Sequence, residues 1–553
     1  MPKKKKLRAI DLYSGIGGWA LGLRLAGIDV VASYELSGAA NETNFKNNRH
    51  QAQTADIRRL SLDELPSSID IVVGSPPCTQ FSYSNRGGNG DIADGLRDII
   101  KFLTIVDHLR PTSWAMENVP RVAGIIHAEL QSGGRLRRFR HLDLNPQIIN
   151  MEEFGLPQRR SRCIVGNFSF NLLAEYASLS SRRTLGGVVR ALSSKRIRDP
   201  IYEFSLKKSE LRDHVLEDAL NLDEARINQA NKTCHPVYNS MPFPDRLDRS
   251  VRTITATCTR VSRESIVIAD PRDAEKYRRL TVRERASLQG FPITFQFYAS
   301  TYGQKYKMIG NAIPPIFSYY VGHAMKRTAA RDVPTLALLG SSFKLPATLP
   351  DDIHHQRAGT KYPIDRKFRF AIPSIRLKSG VRFELVNSVS RLGIQWEVNF
   401  YFGSSKSIHS VALEKPLQKK LLNGLADRGI RAKFDHILAD LSEFINEADI
   451  ERMQQIWAHR GLGRTTPFMF LDKLDECGCE IKNVLSAHTS LCEALVTKVI
   501  EQEYSAARKY PVGVGKLKKY APLILSGLLI GSTANALLGC RISIKGMPRS
   551  AAT

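Results

Sequence analysis

Ile69-Asp70-Ile71-Val72-Val73-Gly74-Ser75-Pro76-Pro77-Cys78-Thr79-Gln80-Phe81-Ser82-Tyr83-Ser84-Asn85 is the stretch from which the rest of this chain can be read. Ile69 to Val73 is a short, apolar, β-branched run bounded by Pro66 and Gly74, which predicts a buried strand. Cys78 then falls just past the strand's carboxyl end, the edge at which ligands bind in open α/β sheets. Pro76 and Pro77 stiffen the backbone and remove two amide donors, while Gly87, Gly88 and Gly90 soften the loop beyond, so a rigid thiol followed by a mobile lid is expected. A lone cysteine is more often a small buried hydrophobe than a nucleophile, so its neighbourhood has to decide.

Upstream, Leu7 to Leu12 predicts a first strand that runs through Asp11-Leu12-Tyr13-Ser14-Gly15-Ile16-Gly17-Gly18 into a helix from Trp19 to Gly27. Glycines at such a junction let a ligand approach the helix amino terminus, although many strand-to-helix turns contain one. Val30 to Tyr34 predicts a second strand ending in Glu35, and a third short segment ends in Asp56-Ile57. Carboxylates at strand ends can accept hydrogen bonds from a ligand or stand as ordinary surface acids. Downstream, Asp94 to Leu109 predicts a crossover helix, and Ser113 to Met116 a strand that delivers Glu117-Asn118-Val119-Pro120. Another strand, Gln147 to Asn150, precedes Phe154-Gly155-Leu156-Pro157-Gln158-Arg159-Arg160-Ser161-Arg162. Strands and helices alternating at this pitch predict an α/β fold with a doubly wound, mostly parallel sheet.

The chain has 553 residues, too many for one ordinary core, so two or three domains are expected. Its formal net charge of +26 predicts a polyanionic partner, because basic grooves gain affinity by releasing counterions from phosphates. Charge alone does not separate an enzyme acting on nucleic acid from a protein that coats it. The eight cysteines are scattered, with only Cys477 and Cys479 close together, which is not a zinc pattern; no metal is expected. Free thiols in a reducing cytosol are the default, since nothing resembles a secretion signal. The start Pro2-Lys3-Lys4-Lys5-Lys6-Leu7-Arg8 reads as a solvated basic tail near DNA in preference to a nuclear address.

Gly74-Ser75-Pro76-Pro77-Cys78 with Phe81-Ser82 and Ser84 resembles the catalytic motif of the cytosine carbon-5 DNA methyltransferases. The glycine turn resembles that family's S-adenosylmethionine motif, Glu117-Asn118-Val119 its Glu-Asn-Val motif, and Gln158 to Arg162 its Gln-Arg-Arg-x-Arg motif. Tyr306-Lys307-Met308-Ile309-Gly310-Asn311-Ala312-Ile313-Pro314-Pro315 resembles the last one. These motifs, in unpermuted order over residues 9 to 327, cover about three fifths of the chain and are together far more specific than any one.

The resemblance implies an S-adenosylmethionine-dependent, Rossmann-like methyltransferase fold. Glu35 would hold the ribose, with Leu36 next to it; Asp56 and Ile57 would hold the adenine, with Tyr13 beside its ring. Ser14, Gly15, Gly17, Gly18, Pro76, Leu96, Asn311 and Ala312 would complete the cofactor pocket. Ser37 stands where the family often has a second acid, which bears on cofactor affinity. Cys78 as thiolate would add to carbon 6 of cytosine, making carbon 5 nucleophilic. Glu117 would protonate ring nitrogen 3, which asks for a carboxyl that stays protonated in a dry pocket. Arg160 and Arg162 would hold the base carbonyl or a flanking phosphate and bias nearby ionisation, with Arg162 the pocket residue. The target must be flipped out of the duplex, and Ser82 and Ser84 match family positions on the loop that would fill in behind it.

From Asn167 to about Lys276 the alternation is lost and Arg, Lys, Thr and Ser accumulate, where the family places its small target recognition region. Arg252-Thr253-Ile254-Thr255-Ala256-Thr257 predicts a strand, and Arg252, Thr253, Thr255 and Arg260 are the expected DNA contacts, to bases or only to phosphates. Thr281 with Glu284 three residues on predicts a helix cap, and Gly290 with Pro292 a stop. The expected domains are a basic tail (1–6), a cofactor and catalytic domain (7–166), the recognition region (167–278), a return to the catalytic domain (279–330), a linker (331–360) and a mixed α+β C-terminal domain of illegible task (361–553). Within the last, Phe368 to Phe402 predicts several strands and Lys415 to Arg508 charged helices. Ala521 to Cys540 is uncharged and long enough for a membrane span, but its proline, glycines and Ser532-Thr533-Asn535 favour a buried core segment.

The expected function is therefore a bacterial, cytoplasmic, nucleoid-associated DNA methyltransferase making 5-methylcytosine in a short duplex sequence, with S-adenosylhomocysteine as by-product. It would act as a monomer on double-stranded DNA, away from membranes, alongside a cognate restriction endonuclease or another defence protein. The competing readings are a transfer-RNA cytosine methyltransferase and a catalytically silent DNA-binding regulator.

Overall fold

In a computed structural model the described residues are 6–82, 90–233, 241–353, 360–377, 381–390, 393–404, 407–411, 413, 415–425, 428–504 and 514–545. Ser84, Gly87 and Gly88, assigned above to a loop over the site, lie outside them. The chain forms two compact units, residues 1–220 with 242–357, and residues 221–241 with 358–553.

The first unit is organised on a seven-stranded sheet: β1 Arg8–Leu12, β2 Asp29–Glu35, β3 Ala52–Thr54, β4 Ile71–Gly74, β5 Ser113–Asn118, β6 Gln147–Asn150 and β8 Ser161–Gly166, in the order β3-β2-β1-β4-β5-β8-β6. A two-residue β7, Gln158–Arg159, pairs instead with Val251–Arg252. The strands from β3 to β5 are parallel, and β8 runs antiparallel to both β5 and β6. Side chains alternate across it: Ala9, Ile71, Val73 and Ala115 enter one core, Ile10, Leu12, Val72, Trp114 and Met116 the other. That is why the central strands are apolar throughout: both faces are covered.

Helix α1, Gly18–Leu25, lies so close to helix Pro315–Met325 that a Cβ on Gly22 would stand 2.5 Å from the Pro315 carbonyl oxygen. A short α2, Gly38–Asn48, links β2 to β3. The crossover helix α3, Ile92–Leu109, is capped by Asp91 Oδ1, which accepts the Asp94 amide at 3.0 Å, and it ends where Arg110 turns left-handed before Pro111. Leu96, Ile99, Phe102, Leu103 and Val106 form its buried stripe. At about 1.5–3 kcal/mol per fully buried side chain, that stripe holds the helix far more firmly than its exposed ion pairs can. The predicted capping box is present, with Thr281 Oγ1 accepting from Glu284 N at 3.1 Å and Glu284 Oε2 from Thr281 N at 2.8 Å.

The structure corrects three sequence expectations here. Of the strand expected over residues 252–257 only Arg252 joins a ladder. Residues 331–353 are no free linker: Val333 and Leu336 are buried, Tyr319 donates to the Pro334 carbonyl at 2.7 Å, and the Phe343 ring lies 4.6 Å from Tyr202. The C-terminal unit does not begin at 361 but takes in residues 221–241 from the middle of the recognition region. Helix Leu222–Thr233 has few apolar residues, so it needs packing to persist. It finds that packing in the second unit, where Arg226 pairs with both carboxylate oxygens of Asp472 and lies 4.4 Å from the Phe468 ring.

The second unit carries a four-stranded antiparallel sheet, Arg369–Arg376, Arg382–Ser390, Gly393–Ser404 and Ser407–Val411, in sequential order. Helix Ala521–Lys545 packs on it with Ile524, Leu525, Leu528, Leu529 and Ile530 fully buried. The uncharged run is therefore a core helix of this unit. Its polar residues have internal partners: Ser526 donates to the Gly478 carbonyl at 2.6 Å, and Asn535 both accepts from Val398 N at 2.7 Å and donates to Val398 O at 3.0 Å.

Candidate active site

Parallel pairing of Leu12 with Tyr34 and Gly74, and of Gly74 with Met116, brings the carboxyl ends of β1, β2, β4 and β5 to one edge. The cysteine segment leaves from the middle of that edge and is held on both sides. Ser75 N donates to Leu12 O at 3.2 Å, Ser75 Oγ accepts from Trp19 Nε1 at 3.1 Å, and Pro76 O accepts from Asn118 Nδ2 at 3.0 Å. Cys78 O then accepts from the amides of Phe81 and Ser82, both at 3.0 Å, closing a turn that is anchored by the fully buried Phe81 ring. The half-buried thiol is thus held on a segment fixed by backbone hydrogen bonds and by the Trp19, Asn118 and Phe81 side chains.

Glu117 sits on β5 opposite Ile164, and Arg162 stands two residues along β8 on the same face. Arg162 Nε meets Glu117 Oε1 at 2.9 Å, with both side chains largely buried. Burial pushes the Cys78 thiol above its ordinary pKa and Glu117 adds to this, while Arg162 and Arg160 pull it down. The structure therefore gathers Cys78, Glu117, Arg160 and Arg162 into one electrostatic cluster. Arg160 has a further job: it is buried, and its guanidinium donates to the carbonyls of Ile254 (3.2 Å), Gly310 (3.1 Å) and Ala312 (3.0 Å). Three carbonyl acceptors make it a tie between the catalytic edge and the Asn311-Ala312 turn.

Beside the thiol, Gly17 turns left-handed at φ 82° where a Cβ would strike Asn44 Oδ1 at 2.0 Å, so only glycine fits. Ser14 Oγ accepts from Asn44, and Gly18 begins α1. Glu35 accepts from Gly15 N at 3.1 Å and Ser37 N at 2.9 Å, while Leu36 next to it is exposed. Asp56 accepts from Arg58 N at 3.1 Å, and Ile57 and Leu96 are buried. Pro76 lies in the cysteine segment, and Asn311 is exposed at the end of helix Tyr302–Asn311 with Ala312 buried behind it. The sequence reading missed Tyr13's partner: its hydroxyl donates to Asp98 Oδ1 at 3.2 Å. It also missed the tethering roles of Trp19, Ser75 and Asn118, of which Ser75 and Asn118 carried a signal as members of the cysteine and Glu-Asn-Val motifs.

Two expected DNA contacts are corrected. Arg252 Nε meets Asp245 Oδ1 at 3.0 Å and its other nitrogens donate to the Glu264 and Ser265 carbonyls. Arg260 is buried, donating to Asp218 O and Ala219 O within reach of Glu217. Both guanidiniums are spent inside the recognition region, as is Arg279 on Glu217 at 2.6 Å. Thr253 and Thr255 are half-exposed, with hydroxyls donating to Arg159 O (2.8 Å) and Thr257 O (3.0 Å), and Ser82 is half-exposed beside the cysteine turn.

Comparison with known proteins bears on this edge. Residues 7–327 match the family model of C-5 cytosine-specific DNA methylases. The Type II methyltransferase M.FnuDI of Fusobacterium nucleatum is 25% identical over 343 residues, covering 58% of this chain and 95% of that protein. M.NgoPII of Neisseria gonorrhoeae is 27% identical over 346 residues, covering 59% and 97%. A solved putative DNA modification methyltransferase encoded within an E. coli prophage superposes with a TM-score of 0.42 at 22% identity, covering 58% of this chain and 99% of its own. With more than half of its length matched, and the motifs meeting at one sheet edge in the order expected, the chain belongs to the C-5 cytosine-specific DNA methylase family.

Proposed function

We propose that the chain transfers a methyl group from S-adenosylmethionine to carbon 5 of a cytosine extruded from duplex DNA, through a transient bond between Cys78 Sγ and carbon 6. The observation that carries this reading is the meeting of a rigidly held thiol with the Glu117–Arg162 pair at the edge that also bears the glycine turn. The turn suits an adenosine-bearing cofactor: open space stands over Gly15, the Glu35 carboxylate lies at its side, and Leu36 offers an apolar flank. Tyr13, Ser14, Gly17, Gly18, Asp56, Ile57, Pro76, Leu96, Asn311 and Ala312 would complete its site. When bound, S-adenosylmethionine supplies an electrophilic methyl on a sulfonium.

The protein's own groups do the rest. The Cys78 thiolate adds to carbon 6, and Glu117 delivers a proton to nitrogen 3 as the ring accepts the sulfur's electron pair, leaving an enamine with density at carbon 5. Arg162 fixes the direction of the Glu117 carboxyl and, with Arg160, favours the thiolate. After alkylation, loss of the carbon-5 proton to water re-forms the double bond and expels Cys78. Base extrusion is required because that carbon is shielded within a duplex. Ser82, Thr253 and Thr255 stand on the DNA side; Ser84 is assigned there too but lies outside the described residues.

The Type II names of the relatives support a modification role. The setting proposed with it is one short target sequence, a cognate endonuclease or another defence protein alongside, and a monomer acting in the bacterial cytoplasm at the nucleoid. The test is trapping on a duplex carrying 5-fluorocytosine, whose carbon 5 has no proton to lose. A covalent complex that needs both cofactor and Cys78 is expected. None from well-folded protein would overturn the reading in favour of a silent DNA-binding regulator. Parallel assays on transfer RNA separate the substrates, and sequencing of methylated DNA from expressing cells gives the target.

A further inference from the structure

We propose that Arg58 is a positioning residue that ties the adenine end of the cofactor pocket to the base of the catalytic loop, through Asp94, Asp98 and Gln80. The inference rests on the methyltransferase reading above and adds residues that it does not use.

Arg58 follows Asp56-Ile57 directly, and its guanidinium is satisfied on two sides. Nε and Nη2 grip the two oxygens of Asp98 at 2.9 and 2.7 Å, while Nη1 reaches Asp94 Oδ1 at 2.8 Å and Nη2 the Asp94 carbonyl at 3.0 Å. Asp98 is buried, and its Oδ1 also accepts from Tyr13 OH. A two-pronged guanidinium on a buried carboxylate is the ion-pair geometry that fixes orientation, whereas the outer contact with Asp94 is more exposed and weaker.

From Asp94 the network continues to the cysteine. Asp94 Oδ2 accepts from Gln80 Nε2 at 3.5 Å, and Gln80 Oε1 accepts from Asp91 N at 3.0 Å. Gln80 lies two residues past Cys78, and a Cβ on Gly90 would come within 2.2 Å of Gln80 O, so the backbones on either side of residues 81–89 are in contact. Asp91 in turn caps α3 through Asp94 N. One polar network therefore joins three segments: the glycine turn at Tyr13, the adenine loop at Asp56 to Arg58, and the pinched base at Gln80 and Asp91. A ligand that orders the second segment biases the third through discrete, directional contacts, which is the physical requirement for coupling.

The test compares wild type, Arg58→Ala, Arg58→Lys, Gln80→Ala and the Arg58→Ala/Gln80→Ala pair. Single-turnover methylation at saturating cofactor is expected to fall about tenfold in Arg58→Ala and Gln80→Ala, with the double variant no worse than either single, as for residues acting in one network. Arg58→Lys should recover only part, because an ammonium has no fork. Cofactor-induced slowing of amide exchange at Asp91 should be present in wild type and lost in Arg58→Ala. A role confined to stability would lower the melting temperature while leaving the saturated rate and the Asp91 response unchanged, and that result overturns the proposal. Wild type without methylation defeats the functional reading instead; the exchange experiment then still decides whether the network couples.

Discussion

The two largest sheets among the described residues use polar groups in opposite ways. In the first unit the parallel strands end together, and Cys78, Glu117 and Glu35 at their ends, joined by Arg162 from the antiparallel β8, stand at one edge where a ligand can reach them. In the second, the antiparallel sheet closes its polar groups on itself: Arg369 and Arg382 both grip Glu384, at 2.5 and 2.6 Å, and Asn535 completes the ladder at Val398. The part of the arginine-rich recognition segment that belongs to the first unit behaves like the second sheet, with Arg252 and Arg260 turned inward. What makes a polar residue chemically available is therefore an open strand end, and abundance of charge is a poor guide.

That contrast can be attacked from its strongest point downward. Cys78→Ser should abolish trapping and methylation, by at least roughly 10³-fold as for loss of a nucleophile that acts within a unit, with the melting temperature little changed. Appreciable residual turnover would break the comparison at once. Arg252→Ala should cost on the order of 3 kcal/mol of unfolding free energy, because Asp245 is left as a buried carboxylate, and should leave the salt dependence of DNA binding unchanged. A drop of about one in that slope would return Arg252 to the DNA side.

A third test uses pH. Burial raises the Cys78 pKa, so the free enzyme holds a neutral thiol at neutral pH and the rate of trapping should climb as pH rises toward the folded value. Arg162→Gln, which removes the larger of the two lowering charges, should displace that climb to higher pH, measurable as a shifted rate profile. By the same sign, whatever stability the raised thiol contributes is complete below the unfolded pKa and is lost as pH rises through the folded one. The smallest effect is expected in the second unit, where Arg226→Ala should cost about 1 kcal/mol, read by denaturant melting, because the Asp472 pair is partly exposed and the Phe468 contact modest. If that substitution instead changes which sequence is methylated, the second unit has a part in recognition.

Much of the first unit was legible because its signals are local. A β-branched run before Gly74, glycines before Trp19, and Thr281 with Glu284 each specify their own few residues, and the observed strands and capping box follow them closely. The failures involve distance along the chain. Nothing in Leu222 to Thr233 announces that its partners lie beyond residue 357, and nothing in Arg252 or Arg260 distinguishes a side chain facing phosphate from one facing Asp245 or Asp218. The Gln158 to Arg162 motif was readable as a string, but its division of labour was not. Arg162 meets Glu117 because of the β5–β8 register, and Arg160 meets three carbonyls supplied by residues 254, 310 and 312.

The capture of residues 221–241 by the C-terminal unit also sets an order of events at the ribosome. Helix Leu222–Thr233 is made long before Ala521–Lys545, and at 5–20 residues per second the interval from residue 241 to residue 545 is roughly 15–60 s. The first unit has all its residues only at 357, and from there until residue 545 helix Leu222–Thr233 waits for partners that are not yet made, so the last part of the fold to mature is one translated near the middle of the chain.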